Sequence, residues 1–279
     1  MYAKLYGATL HGIDGCIITV EVDISQGLPV FDIVGLPNQS VKEARERVRA
    51  AIKNSGYDFP MRRIVVNLAP ATIRKSSAGL DLAIALGVLI ASGQIKGRKA
   101  NISALLNTCL FMGELALDGS LLPTFGTLAM SLAGLEADYS TIYTGVENGH
   151  TLKAIPNLTI YGESSLENII TVLEDQVKSK SISTFKNVKI EKNQDEILTD
   201  TMDNKNHNTT YDVDFGDVQG QELGKRAMLI SAAGHHHCIM IGPPGGGKTM
   251  MAERLPTILP PMTWNEMVEV SRIQDVIGL

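Results

Sequence analysis

Between residues 16 and 24 apolar and polar side chains alternate, with Ile18, Val20, Val22 and Ile24 set against Thr19, Glu21 and Asp23. A period of two is that of a strand with one buried and one wetted face, and residues 30–36 supply its expected partner. The period then changes. Val41, Ala44, Val48, Ala51 and Ile52 recur at helical spacing, Ser40 with Glu43 reads as a capping box, and Gly56 offers a left-handed stop. Residues 62–68 read as another strand. Residues 80–92 are apolar almost all round except at Asp81, as in a helix enclosed by other layers.

Asp118-Gly119 separates two apolar runs in residues 111–122, a hairpin signal because both positions tolerate the positive φ of a tight turn. Residues 127–135 read as a helix. Two weaker strand and helix units follow, at 141–144 with Leu152 and at 159–161 with 166–173. Repeated switching between the two periods predicts a mixed α/β domain over residues 1–174. Residues 175–212, rich in Lys, Ser, Asn and Asp, carry too little apolar surface to offset chain entropy and are expected to be a polar linker. A hairpin through residues 188–190 is the alternative. A second apolar pattern occupies residues 213–279: a helix at 221–233, a short buried strand at 238–241, a helix at 248–255, and a last helical pattern opened by Thr263, Trp264, Asn265 and Glu266.

The 279 residues contain 25 Lys and Arg against 30 Asp and Glu, so no global positive field draws the chain to DNA or a membrane and any nucleic-acid contact must be local. Cys16, Cys109 and Cys238 lie far apart without a CxxC pair, which argues against a disulfide framework or thiolate zinc site and fits a reducing compartment. Neither a signal peptide nor a membrane-spanning run is visible, so the expectation is a soluble, cytoplasmic protein without a membrane partner.

The strongest chemical signal is Gly242-Pro243-Pro244-Gly245-Gly246-Gly247-Lys248-Thr249, which satisfies GxxxxGK[ST] and falls between the expected strand and the expected helix. Glycines let backbone amides turn toward phosphate oxygens, and the following helix adds its N-terminal partial charge. Lys248 is expected to reach the β- and γ-phosphates, and the Thr249 hydroxyl to ligate a magnesium ion bridging them. ATP and Mg2+ are the implied cofactors. Upstream, residues 217–221 precede a helix at the spacing that brings backbone and apolar groups to an adenine; a helix N-cap by Asp217 or a turn at Gly220 explains the same residues.

The run DVQGQELGKRAMLISAAGHHHCIMIGPPGGGKTMMAERLPTILPPM resembles the start of a magnesium-chelatase-type AAA+ ATPase. ITVEVDISQGLPVFDIVGLP, VKEARERVRAAIKNSGYDFP, IVVNLAPA and GELALDGSLLP resemble the N-terminal domain of the YifB/ComM family of magnesium-chelatase-like proteins. The resemblance implies an N-terminal domain with the fold shared by ribosomal protein S5 domain 2 and the Lon protease domain, followed by a P-loop AAA+ module. It also implies a homo-hexameric, ATP-driven motor on branched or single-stranded DNA, in uptake and recombination rather than pigment chemistry. Against that pattern the chain is expected to hold only the opening of the module. The acidic pair of a second core strand, the sensor residues and the arginine from a neighbouring subunit are not identifiable, so weak nucleotide binding without motor-rate turnover is expected.

Two further functional classes have local support. Lys75-Ser76-Ser77-Ala78-Gly79 resembles the Lon nucleophile segment with Ser77 at the catalytic serine, but residues 125–130 hold no lysine where the Lon pattern needs its base. Ser77 then reads as a helix-capping residue. A non-catalytic DNA- or protein-interaction module would use Lys42, Arg45, Arg47, Arg49 and Lys53 with Arg62 and Arg63, a set diluted by Glu43 and Glu46. His235, His236 and His237 are adjacent and so face different directions, which favours a polar turn over a metal site. Met250, Met251, Met262 and Met267 are read as packing residues.

Overall fold

A computed structural model describes residues 1–73, 75, 78–96, 99–178 and 212–278. The chain divides into two compact units, Met1–Lys192 with Glu269–Leu279, and Asn193–Val268. Ser77, the alternative hairpin at 188–190 and most of the expected linker lie outside the described residues.

The first unit is built on a four-stranded sheet of β1 (Tyr2–His11), β2 (Asp14–Ser25), β3 (Val30–Val34) and β4 (Arg63–Ala69), in the order β1-β2-β4-β3. Ile18, Val20, Val22 and Ile24 are fully buried, as their alternation predicts, and face the same side as Ala3 and Leu5. On the opposite face Glu21 accepts hydrogen bonds from Asn67 Nδ2 (2.8 Å) and Tyr2 OH (3.0 Å), which hold its carboxyl below the usual range. Residues 30–34 do not pair with β2. They run parallel to β4, which itself pairs antiparallel with β2. The intervening helix α1 (Gln39–Asn54) carries the chain back along the sheet, the connection that parallel neighbours require.

Helix α1 also starts earlier than its capping signal suggests. The cap is Asn38, whose Oδ1 accepts from Val41 N at 2.9 Å, while Ser40 lies inside the helix and Glu43 accepts from Gln39 Nε2. The cause is tertiary: Lys75 N donates to Leu36 O and Asn38 N to Lys75 O, which fixes the backbone ahead of the helix, with Leu36 left-handed at φ +54° and Asn38 extended at the cap. At the other end Gly56, at φ +83°, makes the expected stop.

Lys75 is itself buried, and its ammonium donates to the carbonyls of Gly35 (2.7 Å) and Pro70. Loss of water lowers its pKa. Lys75→Met takes the ammonium from the Gly35 carbonyl and leaves Pro70 O only the long bond from Ile73 N (3.4 Å), and urea unfolding is expected to show a loss of about 1–3 kcal/mol. An unchanged midpoint would show that water replaces the amine.

Helix α2 (Asp81–Ala91) is buried on almost every side, in agreement with its sequence. Its one charge, Asp81, is 1% exposed and is gripped in bidentate fashion by Arg47, Nε to Oδ2 at 2.7 Å and Nη2 to Oδ1 at 3.1 Å. Burial pushes the Asp81 carboxyl up to about 6, with Arg47 and the Leu115 amide opposing that rise.

The rest of this unit comprises α3 (Lys99–Leu106), β5 (Cys109–Phe111), the pair β6 (Glu114–Leu115) and β7 (Leu121–Leu122), α4 (Thr127–Glu136), β8 (Thr141–Gly145), α5 (Val146–Leu152), β9 (Thr159–Glu163) and α6 (Leu166–Lys178). Strands β5, β8 and β9 form a parallel sheet. Phe111, Tyr143 and Tyr161 stack across it at centroid spacings of 4.9 Å, and Tyr143 OH donates to Gln176 Oε1 on α6. The Asp118-Gly119 turn closes β6 and β7: Asp118 Oδ1 accepts from Ser120 N and Oγ, and Gly119 takes φ +91°.

In the second unit a short 3-10 turn, Phe215–Asp217, leads to α7 (Glu222–Gly234), the glycine-rich loop, α8 (Lys248–Arg254), another 3-10 turn, Leu255–Ile258, and the start of α9 (Trp264–Ile277), whose residues from Glu269 on group with the first unit. Glu266 Oε2 accepts from Thr263 N and Oγ1 and Glu266 N donates to Thr263 Oγ1 at 3.4 Å, a reciprocal box at the start of α9. The expected strand at 238–241 does not form. Ile239 and Ile241 are 83% and 89% exposed. A strand needs a neighbour to complete its ladder, and none of the named strands lies in this unit. A small core gathers Phe215, Val218, Met228 and Met251, so Met251 is a packing residue whereas Met250 and Met262 are exposed.

Candidate functional site: the glycine-rich loop

Residues 242–247 leave the 238–241 segment as an open turn and enter α8 through Gly247. Gly245 and Gly247 take φ +79° and +77°, values that any other residue would adopt only with strain. Nothing lies within 4 Å of where a Cβ would stand at Gly242 or Gly245, so the loop presents bare backbone to open space. Lys248 Nζ turns back under this loop and donates to the carbonyls of Gly242 (2.9 Å) and Pro243 (2.7 Å). Thr249 follows in the exposed first turn of α8, where backbone amides lack intrahelical partners.

Beside the loop lies a cavity of about 480 Å³, bounded by Gln221, Gly224 and Met228 from the α7 side and by Ile241, Lys248 and Met251 from the loop and α8. Its size and mixed lining suit a small ligand with an apolar body and an anionic end. The sequence places residues 217–221 near the base of a nucleotide, and Gln221 does share this cavity with Lys248. Asp217 is not the cap of α7; that position is Gln221, in a left-handed conformation at φ +54°, after a turn at Gly220 with φ +68°. Asp217 Oδ2 instead accepts from Asp214 N.

The donor set fits ATP and Mg2+. Glycines at positive φ, an ammonium within reach of the loop and a hard hydroxyl oxygen at Thr249 match what a polyphosphate and its magnesium require. No carboxylate lines the cavity among the described residues. The described residues also contain no group of three His, Cys, Asp or Glu side chains able to hold a metal, so His235, His236 and His237 gather no such set. His235 instead ends α7 with φ +52°, and Ser231 Oγ donates to His236 O.

Among the described residues, the other candidates are not assembled into sites. Within residues 125–130, where the Lon pattern needs a lysine and none occurs, Met130 is fully buried in a cluster with Ala8, Leu110 and Met112. The basic residues diverge: on α1 Arg47 turns inward to Asp81, Arg49 lies over the Phe59 ring at 5.1 Å and Lys53 is exposed, and Arg62 and Arg63, beyond the helix, are exposed as well. The inward turn of Arg47 has no local sequence signal, because its partner is on another helix. No helix among the described residues is long and apolar enough to cross a membrane.

Comparison with known proteins agrees with this arrangement. Residues 20–148 match the family described as subunit ChlI of Mg-chelatase, and residues 214–279 match magnesium chelatase, subunit ChlI. The chain is 34% identical over 275 residues to competence protein ComM of Haemophilus influenzae, covering 99% of this chain and 50% of that one. It is 36% identical over 267 residues to YifB of Salmonella typhimurium, covering 96% and 48%. A more distant match, 26% over 158 residues, covers 54% of this chain and 19% of the Lon protease of Mycolicibacterium smegmatis. The chain thus spans about half the length of the ComM and YifB proteins it matches. With both of its units matched in the same order as in these relatives, it belongs to the YifB/ComM-type, magnesium-chelatase-like family, within the broad AAA+ class.

Proposed function

We propose that this chain binds ATP with Mg2+ through residues 242–249, as the nucleotide-binding part of a motor that acts on branched DNA. On this reading residues 1–174 form a domain of the Lon and ribosomal protein S5 domain 2 type, residues 175–212 a linker, and residues 213–279 the opening of a P-loop AAA+ module. The observation that carries it is Lys248, which lines a cavity of nucleotide size and whose ammonium lies against the carbonyls of Gly242 and Pro243. Phosphate oxygens would exchange for those two carbonyls and form stronger, charge-assisted hydrogen bonds. Thr249 would supply a magnesium ligand. The DNA assignment draws on the relative named as a competence protein.

The test is calorimetric titration of the whole chain with Mg2+-ATP. Lys248→Ala is expected to weaken binding about 10- to 100-fold, the worth of one or two charge-assisted hydrogen bonds. Undetectable heat from the folded wild type at millimolar ATP would end this reading. With no carboxylate lining the cavity to orient water, binding is expected without rapid turnover. Robust phosphate release that Lys248→Ala abolishes would contradict that second expectation.

A further inference from the structure

Arg254 ends α8, the helix that begins at Lys248. Its side chain is 15% exposed, its Nη1 donates to Met250 O at 3.2 Å, and its Nε is buried without a hydrogen-bond partner, 3.7 Å from Asp217 Oδ2. That distance is within ion-pair range but beyond a hydrogen bond. A second tie runs alongside. Phe215 N donates to Thr257 Oγ1 (3.1 Å), and Thr257 Oγ1 donates to Arg254 O (2.8 Å).

These contacts fasten the turn at 215–217 to the far end of the phosphate helix. Asp214 and Asp217 stiffen that turn by exchanging hydrogen bonds, Asp217 Oδ2 accepting from Asp214 N and Asp214 Oδ1 from Gly216 N. Four residues beyond Asp217, Gln221 lines the same cavity as Lys248. The distance from Gln221 to Lys248 therefore depends on a contact that involves neither residue.

Building on the nucleotide reading above, we propose that Arg254 and Asp217 are positioning residues for the base end of the nucleotide, setting the distance from Gln221 to the phosphate loop. A ligand made only of phosphates occupies the loop and gains nothing from this spacing. A nucleoside triphosphate must satisfy both ends at once.

The experiment compares Mg2+-ATP with Mg2+-tripolyphosphate by calorimetry on the whole chain. Arg254→Met keeps the aliphatic stem, and Asp217→Asn keeps an acceptor for Asp214 N. Each is expected to weaken ATP about tenfold and tripolyphosphate by less than about twofold, the double variant being no worse than either single one. Arg254→Lys, which keeps a cation beside Asp217, is expected to retain most of the ATP affinity. Equal losses for both ligands would show that α8 itself is disturbed, and no loss would show that the ion pair is idle; either result overturns the proposal. If the wild type binds both ligands and the variants match it, only the positioning role falls. If the folded wild type binds neither, the nucleotide reading falls with it.

Discussion

Arg47→Met is expected to destabilise the first unit by about 3–5 kcal/mol near pH 8 and by less than about 2 kcal/mol at pH 5. The variant strips the guanidinium from a carboxyl that is 1% exposed and leaves it one long hydrogen bond, from Leu115 N at 3.4 Å. In the wild type, burial already raises Asp81 from its ordinary 3.8 to about 6. The folded chain then holds this proton more tightly than the unfolded chain, so the contribution of Asp81 to stability is greatest below about pH 4 and is lost as pH rises through about 6. Without Arg47 the folded carboxyl titrates higher still, so the deficit widens with rising pH and narrows on acidification. Urea unfolding at the two pH values measures it. A deficit independent of pH would mean that Arg47 acts through the packing of its stem alone.

Gly35→Ala is expected to cost about 3 kcal/mol or more, enough to leave the first unit partly unfolded at 37 °C. Two costs coincide at this residue. Its φ of +102° lies where side chains are strained, and a Cβ built there would stand 2.1 Å from Leu68 O, a main-chain atom of β4 that cannot swing aside. The carbonyl of Gly35 also receives the Lys75 ammonium, so any backbone shift that relieves the clash disturbs a buried charge. Thermal unfolding of the variant checks this. A melting temperature within a few degrees of the wild type would show that β3 slides on β4 at little cost.

Elements defined by local periodicity were legible in the sequence, and those defined by what covers them were not. β2, α1, α2 and the Asp118-Gly119 hairpin follow their patterns because one face or both faces carry the matching side chains. β1 has no clean alternation. Its outer half is buried on one face, whereas further along Gly7 and Ala8 are both buried, and α4 packs across the strand. The apolar residues 238–241 read as a buried strand, yet burial is a gift of neighbours, and Ile239 and Ile241 lie open. Among the site residues, Gly245 and Gly247 take positive φ and Lys248 turns back to the carbonyls of Gly242 and Pro243. The approach of Arg254 to Asp217 spans 37 positions, and no short-range pattern announces it. Arg47 looks like one more surface cation until Asp81, 34 residues later, draws it inward.

The order β1-β2-β4-β3 has a kinetic corollary. β2 and β3 are separated by four residues along the chain but by a whole strand in space, so the slot between them stays empty until α1 has been laid down and β4 delivered into it. β3 has no other ladder partner, and it is expected to gain hydrogen-exchange protection only in step with β4, as one late-forming cooperative block.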